Sequence, residues 1–600
     1  MSRFHLTTSS HRHTKAKELC NDAGLDVAAS LSEDNFHIST YHKRTFENTN
    51  FQPLDSTSFI AITGTIIIDG KMGENALDSV YKTYAKSGAK EVRERSFGHY
   101  SVVIKDGDHI EIFGDPNGVY EIYYTTEEQW MVSNSLHVCS HSLSSPTVDE
   151  YKLLEKSLEV SEITDATPFT EVKRLAGNEI ISANLIDGSF SVESLERPTV
   201  DWDYSGEQIN AIVSDYRDRV KSVFNQITKA SSNLGVQATG GLDSRSVLAG
   251  LLQQDASPSI LYAVGNSPLT NTDDNDLDVA REYAKRFDLE FKKLDWGGNL
   301  PTERSGWTSL FEKYGYRYHT YGATENFYNS LSSPAIPELL LSGYAFGTVS
   351  NVYYWEQESL VPITLEQIVK EHFSYVQKFS KDQFNKKQEY LDKLVLHCQS
   401  ALNRLGHDIE TDEKMSVCAF ARVIQLLNGR PQSAYVNVAN EFSFHLSPYA
   451  TFELSRPMLD FPPEHRRGER IRVKLLNELY SDILNIPIYS GIERAQINNQ
   501  DELVFPRSGR ERLIDFAEQS LPSLLLSTIR PVYRRLNSGP VGTSTYSELV
   551  ESYQSRLSDS QLYQDEFQLK TYTNDIRVPA RIAHYVHGVE QVGYDEIVRY

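Results

Sequence analysis

Apolar positions along the chain follow two regimes. Residues 59–68 read Phe-Ile-Ala-Ile-Thr-Gly-Thr-Ile-Ile-Ile, a β-branched run that predicts a strand closed by the turn Asp69-Gly70. Apolar positions at helical spacing predict an amphipathic helix over 75–85. Strands at 99–105 and 109–113 flank Asp106-Gly107, a hairpin signal, and Asp115-Pro116-Asn117-Gly118 makes a further turn before a strand at 119–125. A helix over 151–159 and a second hairpin follow, 180–185 with 190–195 across Asp187-Gly188. Residues 1–50, rich in Ser, Thr, His and Asn, give no firm element. Strands, one helix and more strands predict a layered α+β unit.

The second regime starts after Pro198 and Asp201-Trp202-Asp203-Tyr204, which read as a linker. Residues 208–228 have helical periodicity, with Ile209, Ile212, Val220, Val223 and Phe224 available to one face. Strands are predicted at 236–239, 259–264 and 290–294, and helices at 245–253 and 276–287. Such alternation predicts a parallel sheet covered on both faces. Beyond about residue 360 the pattern is mostly helical, with a Gly/Ser/Thr-rich loop at 537–545 and a polar helical tail.

Composition narrows the classes. At 600 residues the chain exceeds what one core serves, and 40% hydrophobic with 24% charged residues is ordinary for a soluble globular protein. A formal net charge of -23 argues against general nucleic-acid binding, which rests on cationic phosphate contacts. Arg466, Arg467, Arg470, Arg472 and Lys474 form one local basic cluster. Cys20, Cys139, Cys398 and Cys418 are widely spaced with no CxxC pair, so neither zinc nor a disulfide framework is expected and a reducing cytoplasm is the default. No apolar h-region or membrane-length run occurs, so no membrane partner is expected.

The sharpest chemical signal is Thr239-Gly240-Gly241-Leu242-Asp243-Ser244, between a predicted strand and a predicted helix. Two glycines allow a tight turn and a close approach of backbone to an anion. Amides at the start of the next helix, aided by its dipole, point at that anion. Thr239 and Ser244 add hydroxyls, and Asp243 offers a carboxylate to magnesium. No lysine follows the glycines, so this is not the GxxxxGK[ST] loop. The bland alternative is a strand–turn–helix corner with Gly-Gly for geometry alone.

This string resembles the Ser-Gly-Gly-x-Asp-Ser loop of ATP pyrophosphatases, specifically of the asparagine synthetase family. Leu261-Tyr262-Ala263-Val264, the acidic run Asn271 to Asp276, and Val279-Ala280-Arg281-Glu282-Tyr283-Ala284 resemble that family's second strand and following helix. Ser96-Phe97-Gly98, Gly114-Asp115-Pro116-Asn117-Gly118 and Ile122-Tyr123-Tyr124 resemble its glutaminase-type domain, and 447–476 its closing segment. The resemblance spans roughly 55–490 in the family's order. It implies an N-terminal Ntn-hydrolase-like α+β sandwich (1–200), a parallel-sheet adenine-nucleotide-binding PP-loop domain (205–500) and a helical C-terminal extension (501–600).

Two departures shape the functional expectation. Glutamine-hydrolysing members carry Cys directly after Met1, where this chain has Ser2, and serine needs stronger activation than a thiolate. An N-terminal domain without glutaminase activity is therefore expected, as in β-lactam synthetase and lasso peptide cyclase. The family's second ATP motif, Ser-Gly-x-Gly-x-Asp-Glu, is reduced to Ser342-Gly343, with Gly347 and Thr348 where the acidic pair should stand. Pro448-Tyr449-Ala450-Thr451 departs from the family's Pro-Phe-Leu-Asp as well. Magnesium would then rest on Asp243, with Asp276 and Glu356 as remaining acids. Asp276 reads equally as a helix cap, and Arg472 with Lys474 equally as a solvated basic face.

The resemblance implies ATP and Mg2+ as cofactors. It places Thr239, Gly240, Gly241, Leu242, Asp243, Ser244, Val264, Ser342 and Gly343 at the nucleotide, Asp243 and Asp276 at the metal, and Asp243, Arg472 and Lys474 in catalysis. The implied activity is an ATP-dependent amide-forming ligase acting on a small-molecule or peptide carboxylate and an amine donor; oligomeric state is open. The rivals are a catalytically silent homologue acting as a scaffold, and glutamine-dependent asparagine synthesis.

Overall fold

The computed structural model describes residues 1–47, 49–126, 129–149, 151–153, 155, 167–195, 209–265, 273–295, 311–316, 336–343, 362–374, 387–404, 409–417, 420, 430–461, 469–490, 493–499, 501 and 503–504. The linker at 196–208, Gly347, Thr348 and Glu356, the cluster members Arg466 and Arg467, Cys418, the loop at 537–545 and the tail lie outside these residues. The chain is a mixed α/β protein with several sheets, one of them parallel.

The first part builds two antiparallel sheets. One has the order 172–174, 123–125, 131–133, 4–7, 36–41, 27–33; the other runs 190–194, 179–184, 109–114, 96–106, 59–68, 51–53, with 71–72 added beside 59–68. Strand periodicity explains their stacking. Along Phe59–Ile68, Phe59 and Ala61 meet Phe4, Phe36 and Trp130 of the other sheet, whereas Ile60, Ile62, Ile66 and Ile68 meet Leu77, Val80 and Val92 of helix Leu77–Arg95. This strand is apolar on both faces because both faces are covered. On the outer side of the other sheet, Ala16 and Cys20 of helix Ser10–Asp22 pack with Val138 and Cys139. The result is four layers: helix, sheet, sheet, helix.

Several elements differ from the sequence expectation. The first 41 residues hold three strands and a helix, Phe4–Thr7, Ser10–Asp22, Val27–Glu33 and Phe36–Tyr41. Their polar side chains are compatible with order because many are buried and bonded, as Ser133 Oγ is to Phe4 O at 2.6 Å. The helix expected over 75–85 continues to Arg95 across a break at Gly88, which takes φ 76°. The strand expected over 119–125 is only Tyr123–Thr125, because Asp115 draws the amides of Val119 and Tyr120 into its turn at 3.1 and 2.8 Å.

Downstream, strands Leu234–Gln237, Ile260–Gly265, Phe291–Asp295, Leu339–Leu341 and Phe444–Leu446 form one wholly parallel sheet. Taken in chain order as first to fifth, they lie 3-2-1-4-5 across the sheet. The order therefore reverses between Leu234–Gln237 and Leu339–Leu341. Helix Ile209–Ala230 covers the sheet through Ile212, Val213, Tyr216, Val220, Val223, Phe224 and Ile227, three and four residues apart, and its cluster also takes in Ile67, Met72 and Phe97 of the first part.

A buried polar seam joins the two parts. Arg3 Nε lies 2.6 Å from Glu441 Oε1, with both side chains almost fully buried, and Arg44 reaches Glu441 Oε2 at 3.3 Å. The outer edge of Phe444–Leu446 would otherwise present unpaired amides. His445 N donates to Thr65 Oγ1 at 3.0 Å and Ser447 N to His99 Nε2 at 3.2 Å, so the antiparallel sheet seals the edge of the parallel one. Burial pushes His99 down to about 4, so its ring is neutral and Nε2 is free to accept.

Removing one member of this seam leaves a buried charge alone. Glu441→Ala should cost about 3–5 kcal/mol in urea unfolding, whereas Lys82→Ala, at the exposed pair with Asp78, should cost less than about 1 kcal/mol. Equal costs for the two variants would contradict this view of the seam.

Candidate nucleotide-binding loop

Ligands of open parallel sheets sit beyond the carboxyl ends of the strands, where strand order reverses. Here that point lies between Gln237 and Leu341, and the residues leaving those strands are Ala238-Thr239-Gly240-Gly241 and Ser342-Gly343. Thr239 N donates to Ser244 Oγ at 2.9 Å, and the two hydroxyls are 2.9 Å apart, which ties the turn to the first turn of helix Leu242–Leu252. Gly241 is the N-cap and no side chain caps this helix. Its first amides thus lie at the positive end of the dipole with no side-chain cap. Leu242 is buried in the core beneath.

The glycines act differently from the sequence expectation. Neither Gly240 nor Gly241 has positive φ. Gly240 is closely flanked: a Cβ there would press on Asp276 Oδ1 at 3.1 Å and Tyr489 Cβ at 3.2 Å. At Gly241 the only atom of the described residues within 4 Å of such a Cβ is Thr239 Oγ1, at 3.8 Å. No described protein atom demands glycine at 241. Gly343 is the tightest. A Cβ on it would sit 2.3 Å from Asp243 C and 2.4 Å from Ser244 N, so the fourth strand's exit lies directly against the loop backbone. Ser342 is held beside it, its Oγ 2.5 Å from Ser447 Oγ.

Charged groups converge on the same turn. Asp276 Oδ1 accepts from Gly240 N at 2.6 Å, so this carboxylate caps the loop as well as lying in helix Asp273–Phe287. Asp243 is paired with Arg472 through Nη2, and Arg472 Nη1 reaches Glu469 at 2.9 Å. Burial pushes Arg472 down to about 9, while two carboxylates in contact favour its charge; on either count it is a cation at neutral pH. Lys474 lies two residues further along helix Arg470–Tyr480 and pairs with Asp501 at 2.9 Å. Positions two apart on a helix point in nearly opposite directions, so only Arg472 of the two is seen to meet the loop. Val264 lies on the neighbouring strand, in register with Leu294.

Arg245 was not singled out by the sequence pattern. It is fully buried, donates to the carbonyls of Ile483 (2.6 Å), Ile486 (3.0 Å) and Pro487 (2.7 Å), and lies over the Tyr283 ring. Tyr489 N then donates to Gly240 O at 3.0 Å. Arg245 therefore straps 483–489 across the loop. The available signal was its place directly after the loop, where a charged residue on an otherwise apolar helix needs a partner.

For magnesium, Asp243 is the carboxylate at the loop with an accessible side chain, 46% exposed, and Asp276 is engaged by Gly240. No group of three His, Cys, Asp or Glu with metal-binding geometry occurs among the described residues. Magnesium commonly takes one or two carboxylates and fills its other positions with phosphate and water, and Asp243 fits that sparse role.

At the amino end, Ser2 is buried and its Oγ donates to His42 O at 2.6 Å. Cys20 is buried, and burial pushes its thiol up to about 11, so it remains protonated at neutral pH. No helix among the described residues is long and apolar enough to cross a membrane.

No family model and no curated protein matches the chain. Among solved structures it is similar to glutamine phosphoribosylpyrophosphate amidotransferase from B. subtilis complexed with ADP and GMP, at 10% identity and TM-score 0.23 over 50% of this chain and 67% of that one. An allosteric regulatory enzyme of purine biosynthesis is matched at 10% identity and TM-score 0.23, over 49% of this chain and 64% of the other. The U34-tRNA thiolase NcsA from Methanococcus maripaludis with its 4Fe-4S cluster is matched at 13% identity and TM-score 0.17, over 39% and 79%. Scores this low do not bear on fold or activity.

Two predictions follow from the packing. Gly241→Ala should leave urea stability within about 1 kcal/mol of wild type yet weaken ATP binding about tenfold or more, whereas Gly343→Ala should also cost about 1–3 kcal/mol of stability. Unchanged ATP affinity in Gly241→Ala would show that the open space is not a ligand's. Glutamate release from glutamine should stay at background, since the Ser2 hydroxyl is spent on a carbonyl; a robust rate abolished by Ser2→Ala would contradict this.

Proposed function

We propose that the protein is an ATP-dependent, AMP-forming amide ligase built on the asparagine synthetase plan. What carries the reading is the uncapped helix start at the sheet's reversal point, with Gly241 leaving space above it and Arg472 beside it. The phosphates of ATP would lie against the amides of 241–244 and the hydroxyls of Thr239 and Ser244. Ser342 and Gly343 would border the nucleotide on the neighbouring strand. A substrate carboxylate oxygen attacks the α-phosphorus, forming an acyl–O–P bond as the bond to the β-phosphate oxygen breaks and pyrophosphate leaves. An amine nitrogen then attacks the acyl carbon, the C–O bond to AMP breaks, and the nitrogen loses a proton to solvent.

The chain's contribution is positioning and neutralisation. Arg472, held between Asp243 and Glu469, would turn toward the leaving pyrophosphate. Magnesium, held by Asp243, would supply charge neutralisation on the phosphates. Lys474 would assist from the same helix only after leaving Asp501. The N-terminal layers would act as scaffold, joined through the Arg3–Glu441 seam. Substrates would be a small-molecule or peptide carboxylate and an amine.

A second reading has its own observation. Asp276 accepts from the Gly240 amide and Asp243 is paired with Arg472, so these two polar groups of the loop have protein partners without a nucleotide. On that reading the chain is a non-catalytic homologue that binds or scaffolds.

Pyrophosphate exchange into ATP separates the two. Asp243→Asn should lower magnesium-dependent exchange about a hundredfold, equivalent to about 3 kcal/mol, while calorimetric ATP affinity falls less because the amides remain. ATP binding with no exchange in the wild type would establish the second reading.

A further inference from the structure

Strands Phe59–Ile68 and Ser96–Asp106 of the antiparallel sheet are pinched together at one point. Gly64 takes φ 83° and Gly98 takes φ 134°. A Cβ on Gly64 would sit 2.2 Å from His99 O, and one on Gly98 would sit 2.1 Å from Thr65 O, so only glycine fits either place. The residues that follow, Thr65 and His99, stand directly opposite one another in register. Both are fully buried, and both side chains bond to the parallel part.

Two routes run from this pair to the nucleotide loop. His99 Nε2 accepts from Ser447 N at 3.2 Å, Ser447 Oγ lies 2.5 Å from Ser342 Oγ, and Ser342 N donates to Leu446 O at 3.1 Å. Ser342 leads into Gly343, whose backbone lies against Asp243 and Ser244. On the other route, Thr65 Oγ1 accepts from His445 N at 3.0 Å and donates to Asn440 Oδ1 at 2.7 Å. The His445 ring meets the Tyr435 ring edge-on with centroids 5.1 Å apart, and Tyr435 OH accepts from Gln237. Gln237 closes strand Leu234–Gln237, which leads into Thr239 and the glycines. The routes therefore end on the two strand exits that flank the reversal point. Sealing the edge of Phe444–Leu446 needs only the bonds to His445 N and Ser447 N; the continuations to Ser342 and Gln237 go further. His99, Ser447 and Ser342 are at most 1% exposed, so bulk water does not replace a bond lost among them.

We infer that His99 is a positioning residue for the nucleotide loop, acting through Ser447 and Ser342, with Thr65 as its counterpart toward the other strand exit. The antiparallel part thereby sets how readily the loop takes ATP. This rests on the reading of the loop as a nucleotide site. Coupling of this kind is reciprocal, so nucleotide on the loop would tighten the joint between the two parts by the same factor.

Hydrogen–deuterium exchange of the full chain without nucleotide, joined to calorimetric ATP affinity and urea unfolding, tests the inference. His99→Leu removes the acceptor, and Ser447→Ala cuts the link to Ser342 while leaving the His99 bond in place. Each should speed exchange across 239–244 about tenfold and weaken ATP binding by a similar factor. Exchange at Phe291–Asp295, on the far edge of the same sheet, should stay unchanged. His99→Gln, whose side-chain oxygen can accept from Ser447 N, should keep both loop exchange and ATP affinity near wild type. Ser447→Ala decides the matter where His99→Leu fails to fold. Wild-type loop exchange in Ser447→Ala would overturn the inference. So would loop exchange that rises only in step with Phe291–Asp295 and the loss of urea stability, because His99 would then do no more than seal the sheet edge. A wild type that bound no ATP would sink the nucleotide reading instead, and the exchange comparison would still decide whether His99 positions the loop.

Discussion

Two backbones meet at the reversal point of the parallel sheet, and the room for that meeting is one absent side chain. Gly343 leaves the fourth strand directly against Asp243 and Ser244, where a Cβ would be 2.3 Å from a carbonyl carbon. The approach fixes the loop from one side. Arg245 fixes it from the other, drawing the carbonyls of 483–487 over the helix and setting Tyr489 on Gly240. Held on both sides, the loop is fixed in place while the helix it opens has no side-chain cap.

The same economy governs the joint between the two parts. Sheet edges and buried charges are liabilities unless paired, and each is paired across the joint: Thr65 and His99 complete the amides of the edge strand, and Arg3 and Arg44 meet Glu441. Lys43, buried and donating to Asn440 O at 2.6 Å, is pushed down to about 7 by burial against the pull of Glu441. The antiparallel layers therefore support the parallel-sheet part even with Ser2 bonded to a carbonyl.

Three strands of the parallel sheet were legible from their alternation with periodic helices, whereas Phe444–Leu446 was not, lying in a stretch whose pattern reads as helical; the loop was legible because Gly-Gly stands between a strand and a helix. The amino-terminal strands were not legible. His5, Thr7, Ser39 and Thr40 lie buried in strands whose backbone pairs with neighbouring strands, and their side chains are met by His13, Trp130 O, Ser30 and Ala29 O, partners that a period-2 apolar pattern does not signal. The partners of the candidate acids were equally hidden. Asp276 to Gly240 spans 36 residues and Asp243 to Arg472 spans 229, and nothing local encodes either contact. Sequence spacing offered Arg472 and Lys474 as equals; helix geometry sends one to Asp243 and the other to Asp501.

The central claim is that the uncapped helix start is where ATP is held. Hydrogen–deuterium exchange of the full chain, with and without saturating ATP and magnesium, reads those amides directly. The account predicts slowed exchange at the backbone amides of Gly241, Leu242, Asp243 and Ser244, saturating with ATP. Unchanged exchange across 239–244 in the presence of bound ATP would contradict it.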